Sequence, residues 1–215
     1  MNTKKLLKIV IFGPQASGKG TQAGLLSKEL NIPQVCSGDL LRDEIKAGSE
    51  LGKQVKVYVN SGELVPEELV RQLVKNRLDQ PDVKDGFIID GYPRSKDQAE
   101  FLNSVVEIDK ALLIDVSKEE VMNRITSRRI CGECGEIYNL IFKKPEKEGF
   151  CDKCGQKLVQ RDDEKPEVIE KRLSIYEDQT TPMLSLYEDK GLLIKINGEQ
   201  SIEDVYLEVK SKLNI

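Results

Sequence analysis

The chain contains no histidine and no tryptophan, and aromatic residues make up only 5% of it. Without histidine there is no imidazole to act as a general base or to complete a mixed Cys/His metal site, so chemistry built on that side chain is excluded. Positive charge is also in short supply: 33 Lys and Arg against 37 Asp and Glu leave a net charge of −4 and a pI near 5.2. General binders of nucleic acid or of membrane surfaces need a summed positive field, so this balance argues against both, and any anionic ligand has to be met locally. No apolar run approaches the roughly eighteen residues that span a bilayer. The lysines and apolar residues of Met1 to Phe12 resemble a leader, but Lys8 interrupts the run, no small-residue cleavage site follows, and the segment feeds directly into a glycine-rich loop. A cytoplasmic protein is expected, in which the five cysteines serve as metal ligands or buried thiols rather than disulfides.

What is present is one core's worth of apolar sequence, 39% hydrophobic over 215 residues, with room for a smaller inserted unit. Apolar, β-branched runs recur at Leu6 to Phe12, Ile32 to Cys36, Phe87 to Asp90, Ala111 to Val116 and Leu192 to Ile196, each followed by helical periodicity. That alternation predicts an α/β fold, a parallel sheet with helices on both faces. Helix starts are marked by Pro66, Ser95, Ser117, Pro166 and Ser201, Gly191 closes the helix containing Tyr187, and Pro182 is expected to kink the pattern from Glu167 to Lys190. Two stretches break the alternation. Ser37 to Val65 reads as a charged helical insert. Arg128 to Lys165 reads as a small unit of short strands, among them Glu136 to Phe142, with little apolar surface to bury.

The stretch Gly13-Pro14-Gln15-Ala16-Ser17-Gly18-Lys19-Gly20-Thr21 joins the first strand to the first helix. Gly-x4-Gly-Lys between a strand and a helix is the spacing of a P-loop, in which backbone N–H groups and the open helix N-terminus converge on phosphate. Lys19 would reach the β- and γ-phosphates and Thr21 would sit near magnesium or its water shell. Gly20 separates lysine from hydroxyl, a departure from the general pattern.

Cys131-x2-Cys134 and Cys151-x2-Cys154 have the spacing of a four-thiolate zinc site built from two knuckles. Four thiolates leave no open coordination position, so the metal would be structural; two disulfides are the competing reading. Cys36 reads as a buried thiol. The chain uses 24 Lys but only 9 Arg, so its arginines are informative. Arg42, Arg94, Arg124, Arg128, Arg129, Arg161 and Arg172 lie next to glycine turns or insert borders, where guanidinium groups suit phosphate and phosphoryl transfer; any one of them could equally be a surface ion pair. Asp90, at a strand's C-terminal end, could hold magnesium through water, whereas Asp39 could do so or simply favour a helix N-terminus.

In their order, Gly13 to Thr21, Ser37-Gly38-Asp39-Leu40-Leu41-Arg42, Gly62 to Pro66, Asp90-Gly91-Tyr92-Pro93-Arg94 with Gln98, Arg124 to Arg129, and Arg161-Asp162-Asp163 with Arg172 resemble the adenylate kinases, in the long form with a zinc-bearing lid. The resemblance covers nearly the whole chain. It implies a P-loop three-layer sandwich with a five-stranded parallel sheet, divided into a core (1–35, 66–127 and 165–215), a helical NMP-binding insert (36–65) and a small zinc-binding β lid (128–164). It implies a monomeric enzyme of nucleotide biosynthesis that converts ATP and AMP to two ADP with magnesium. Residue by residue, Gly13, Pro14, Gln15, Ala16, Ser17, Gly18, Lys19, Gly20 and Thr21 would hold ATP together with Arg124 against its adenine, Arg128, Tyr138 and Gly198. Ser37, Gly38, Arg42, Leu64, Val65, Pro66, Gly91, Arg94 and Gln98 would hold AMP, Arg161 and Arg172 reaching it as well. Lys19, Arg94, Arg128, Arg161 and Arg172 would carry the catalysis. Gln15-Ala16 stands where the family loop usually reads Pro-Gly, Ser37 stands for a threonine, and Asp163-Glu164 stands for an Asp-Asp pair. The rivals are a UMP or CMP kinase, against which Ser37 and Gln98 speak, and a nucleotide-regulated module whose knuckles contact RNA or a protein, against which the acidic charge speaks.

Overall fold

The first strand, β1 (Lys8–Phe12), shows why the apolar runs of this chain are continuous rather than alternating. Ile9 and Ile11 point into one buried cluster and Val10 and Phe12 into another, so both faces of the strand are covered. Residues 7–160 and 164–215 are described by the computed structural model of the chain. In order, β1 is followed by α1 (Lys19–Leu30), β2 (Gln34–Cys36), α2 (Ser37–Ala47), α3 (Glu50–Ser61), α4 (Glu67–Leu78), β3 (Phe87–Asp90), α5 (Lys96–Val105), β4 (Lys110–Asp115) and α6 (Lys118–Thr126). Then come β5 (Arg128–Cys131), β6 (Ile137–Asn139), β7 (Leu158–Val159), α7 (Pro166–Ile175), α8 (Thr181–Met183), α9 (Ser185–Glu188), β8 (Leu193–Asn197) and α10 (Ile202–Leu213).

The five expected strands form one parallel sheet in the order β2-β3-β1-β4-β8. Ala23, Leu26, Val121, Ile125, Ile169, Leu173, Val205 and Val209 cover one face from α1, α6, α7 and α10; Leu41, Val55, Val70, Val74, Ala99 and Leu102 cover the other from α2 to α5. The fold is therefore the three-layer α/β sandwich that the alternation implied. Each large side chain buried in these layers contributes roughly 1.5–3 kcal/mol. The chain departs from β1 toward β2 on one side and from β3 toward β4 on the other. The C-terminal ends of β1 and β3 therefore flank the topological switch point, where open parallel sheets leave a crevice.

Ser95, Ser117 and Ser201 cap their helices, accepting from the N–H of Gln98, Glu120 and Asp204 at 3.3, 3.3 and 3.1 Å, while Pro66 precedes α4 and Pro166 opens α7. Upstream of Pro182 the helix widens into a π turn over Tyr176–Thr180. A ring without an N–H cannot continue a regular ladder, and the break is made in the turn before it. Residues 128–159 contain a three-stranded antiparallel sheet, β6-β5-β7, with a satellite cluster of Cys131, Tyr138 and Cys151 beside Cys134 and Leu158. Among the described residues no helix is long and apolar enough to cross a membrane.

Candidate phosphate cleft and metal cage

Gly13 leaves β1 with φ +149°, and a Cβ there would lie 2.5 Å from Ser17 Oγ and 2.6 Å from the Ile114 carbonyl, so no side chain fits. The loop folds back on itself: Ser17 N–H and Lys19 Nζ both donate to the Pro14 carbonyl, at 3.2 and 3.0 Å. Ala16 takes φ +60°, a left-handed conformation that costs an L-residue roughly 1–2 kcal/mol and a glycine almost nothing. Ala16 thus places a Cβ on a backbone conformation that favours glycine. Ser17 Oγ is buried without a hydrogen-bond partner among the described residues. Gly18 then starts α1 without a side-chain cap and without an acid in the first turn, leaving the helix's first N–H groups and the positive end of its dipole directed at the loop.

These atoms form the floor of a cleft of about 530 Å³ at the switch point. Around it converge Lys19, Arg42, Arg94, Arg124, Arg128 and Arg172, with Asp39 and Asp90 among them. Gly91 makes the approach possible. It has φ +79°, and a Cβ there would lie 2.9 Å from Ser37 Oγ and 3.1 Å from Arg94 Nη2. Its carbonyl accepts from Ser37 Oγ and from Arg94 Nε, both at 2.7 Å. Thr180 Oγ1 and Gln98 Oε1 fix the Arg94 backbone from behind, the hydroxyl donating to its carbonyl at 2.9 Å and the amide oxygen accepting from its N–H at 2.8 Å. Arg128 pairs with Glu164, a carboxylate whose side chain is 1% exposed. Arg172 Nη2 donates to the Val59 carbonyl at 3.0 Å, joining α7 to α3.

The electrostatics of this wall favour an anion. Burial first, and then the neighbouring Arg172, hold the Arg94 guanidinium below its ordinary range. Burial likewise depresses Lys19, with Arg94 and Arg128 adding to it and Asp90 opposing. Asp90 is raised, mainly by burial, against the pull of Lys19. Cations that repel one another in a dry site gain most from a polyanion placed between them. Asp90 also faces the start of α1, since a Cβ on Gly20 would lie 3.2 Å from its Oδ2. With the Thr21 hydroxyl on the same wall, this all-oxygen donor set fits a hydrated magnesium ion.

At the other end of the cleft Arg124 works as a clasp. Its guanidinium donates to the carbonyls of Ser17 and Gly198 at 3.1 and 2.8 Å and to Glu120 at 2.7 Å, with the Phe142 ring centroid 5.6 Å from it. Asn139 Nδ2 donates to the Arg124 carbonyl at 3.2 Å, and Asn139 Oδ1 accepts from the N–H of Ile141 at 2.8 Å and of Phe142 at 3.2 Å, seating the turn that carries the ring.

Gly13, Gln15 to Thr21, Gly38, Arg42, Leu64, Gly91, Arg94, Arg124, Arg128, Tyr138, Arg172 and Gly198 all line this one cleft. Pro14, Ser37, Val65, Pro66 and Gln98 do not: the first, second and last act through hydrogen bonds to lining residues, Val65 is in the core, and Pro66 precedes α4. Asp39 sits in the first turn of α2 and pairs with Arg42. Arg161 lies outside the described residues. Cys36, read as a buried thiol, also lines the cleft, where burial and then Asp90 push it up to about 12. Thr180, Asn139 and Phe142 carry no sequence signal for this site, whereas Glu164, named only as half of the Asp163-Glu164 pair, enters it as the partner of Arg128.

All five cysteines are free thiols. The Sγ atoms of Cys131, Cys134, Cys151 and Cys154 lie within 4.8 Å of one another, with Cys131 to Cys154 at 3.3 Å and Cys134 to Cys151 at 3.5 Å. A tetrahedron with zinc–sulfur bonds of about 2.3 Å has edges of about 3.8 Å, so the four sulfurs fit a zinc ion, and their number leaves no open position.

Comparison with known proteins agrees with the geometry. A family model described as adenylate kinase matches residues 11–192. Over 212 residues the chain is 45% identical to an adenylate kinase of Methanocella arvoryzae, an alignment spanning 96% of this chain and 98% of the relative. It is 44% identical over 214 residues to one of Caldicellulosiruptor bescii, spanning 97% and 100%. It is 43% identical over 212 residues to one of Archaeoglobus fulgidus, spanning 96% and 98%.

Proposed function

Because this chain belongs to the adenylate kinase family of nucleoside monophosphate kinases, we propose that it transfers the terminal phosphoryl group of ATP to AMP, reversibly, giving two ADP. The observation that carries this reading is the convergence of Lys19, Arg42, Arg94, Arg128 and Arg172 on one cleft in a chain whose net charge is −4. In the reaction an AMP phosphate oxygen forms a bond to the γ-phosphorus while the bond from that phosphorus to the β–γ bridging oxygen breaks, and the bridging oxygen leaves on ADP. No protein nucleophile is needed. Catalysis is by alignment and by neutralisation of the charge on the transferred group.

The loop amides and Lys19 would hold the ATP phosphates, Arg42 and Arg94 the AMP phosphate, and Arg128 and Arg172, with Arg161, the group in flight. Arg124, whose edge is engaged by the Ser17 and Gly198 carbonyls, would offer a guanidinium face to the ATP base. The Gln98 oxygen is engaged by Arg94 N–H, so its NH2 group is the part that would meet an acceptor on the AMP base. Thr21 and Asp90 would hold the water shell of a magnesium ion, which supplies charge neutralisation when bound. In this reading residues 36–65 form the AMP-binding insert, residues 128–164 the lid, and the remainder the core; the enzyme is a cytoplasmic monomer.

A coupled assay of ADP formation from ATP with AMP, GMP, CMP or UMP as acceptor tests the proposal. AMP should exceed each of the others by at least about tenfold, the scale of one well-placed base contact. Equal or better rates with UMP or CMP would reassign the substrate, and turnover with none would remove the kinase reading.

A further inference from the structure

Among the described residues, Tyr138 is the one side chain that belongs both to the wall of the nucleotide cleft and to the cluster around the cysteines. It is 3% exposed. Its hydroxyl makes two contacts, both to the second cysteine knuckle: it donates to Cys151 Sγ at 3.6 Å and accepts from the N–H of Asp152 at 2.8 Å. The backbone contact occupies an oxygen lone pair and orients the phenol, so that its proton is directed at sulfur. The ring meanwhile packs against Cys131 and Cys151, with the Lys143 ammonium 5.3 Å from its centroid. In β6 it pairs with Arg129 of β5, and its neighbour Asn139 pairs with Arg128.

We propose that the Tyr138 hydroxyl is an outer-shell donor to the metal cage, and that through it the cage fixes a wall of the nucleotide cleft. Four thiolates around a divalent ion carry a net charge of about −2, and a donor on one sulfur draws off part of that charge and holds the sulfur in place. A phenylalanine would fill the same space, so packing alone does not account for a hydroxyl satisfied on both sides by one knuckle. Tyr138 is accordingly a positioning residue. With the cage loaded, its ring cannot leave the cleft wall without breaking both contacts, and the strand that carries Arg128 is held against it.

This inference rests on the four-thiolate reading of the cage, and the experiment separates the two. Zinc release from the full-length protein is followed with a colorimetric chelator in excess, without nucleotide, for the wild type and for Tyr138→Phe. Loss of an outer-shell partner typically costs 10- to 100-fold in metal affinity, so release from the variant should be about ten times faster or more. In cobalt-substituted protein the thiolate-to-metal charge-transfer band should also shift between the two, which a change in packing would not produce. A wild type that holds zinc and a folded variant that releases it at the same rate, with an unshifted band, would overturn the inference and leave the metal site standing. A wild type that retains no zinc overturns both. Should Tyr138→Phe not fold, cadmium-substituted wild type supplies the answer: scalar coupling between the Tyr138 hydroxyl proton and the metal supports the contact, and its absence overturns it.

Discussion

Arg128→Ala should slow ADP formation by about three orders of magnitude, and Lys19→Ala by about two to three, with the P-loop still folded in both. The magnitudes follow from what each group does. A guanidinium that closes on a transferred phosphoryl group is worth about 10³–10⁵ in turnover, and a single preorganised donor on developing charge about 10²–10³. Lys19 has its ammonium 3.0 Å from the Pro14 carbonyl and forms no ion pair among the described residues, so its charge is available to phosphate. Arg128 is held at the cleft by buried Glu164, which makes its removal double-edged, because a carboxylate is left behind without its cation. Arg128→Lys separates the two effects. It keeps a positive charge for Glu164 and loses the planar fork, so stability should recover while most of the rate loss remains. Turnover of Lys19→Ala or Arg128→Lys within threefold of wild type would mean that these side chains do not meet the transferred group.

Stripping the metal should unfold the cysteine-bearing unit and leave the sheet intact. That unit buries only Cys131, Tyr138 and Cys151, with Cys134 and Leu158 packed beside them, while Ile141 and Phe142 are more than half exposed. So small a cluster cannot offset the conformational entropy of some thirty residues, each costing on the order of 1–2 kcal/mol. Structural zinc in small domains contributes on the order of 10 kcal/mol to folding, far more than any one buried side chain of this unit. Chelation at neutral pH, or Cys151→Ser, should therefore abolish hydrogen-exchange protection across residues 128–159 and spare β1, β3 and β4. Activity should fall with it, since Arg128 and Tyr138 are placed by this unit. Full protection of residues 128–159 in protein shown to contain no metal would contradict the assignment.

The parallel sheet was legible because strands covered on both faces are apolar throughout, and the switch to helical periodicity is unambiguous beside them. Serine caps, the two prolines at helix starts and the cysteine spacing were legible for the same reason: each acts within a few residues of itself. The ends of the parallel strands moved by one or two residues, as they do where a ladder frays, while the piece read as Glu136 to Phe142 is a strand only over Ile137–Asn139. What could not be read were contacts set by the tertiary path. Glu164 and Arg128 are 36 residues apart. Thr180 reaches the Arg94 carbonyl only because the π turn before Pro182 places it there. Gln98 illustrates the limit best, since its position was readable but not the turning of its oxygen toward Arg94 N–H. The positive φ of Ala16 was legible only through the resemblance, which puts a glycine at that position; nothing in the local sequence requires it of an alanine.

Phosphoryl transfer in this cleft requires guanidinium and ammonium groups from distant segments to meet around phosphate. A crystal structure with AMP and a nonhydrolysable ATP analogue tests that most directly. Lys19, Arg94, Arg128 and Arg172 should each lie within hydrogen-bond distance, about 2.7–3.2 Å, of a phosphate oxygen. A nucleotide-filled cleft in which Arg94, Arg128 and Arg172 pointed into solvent would contradict it.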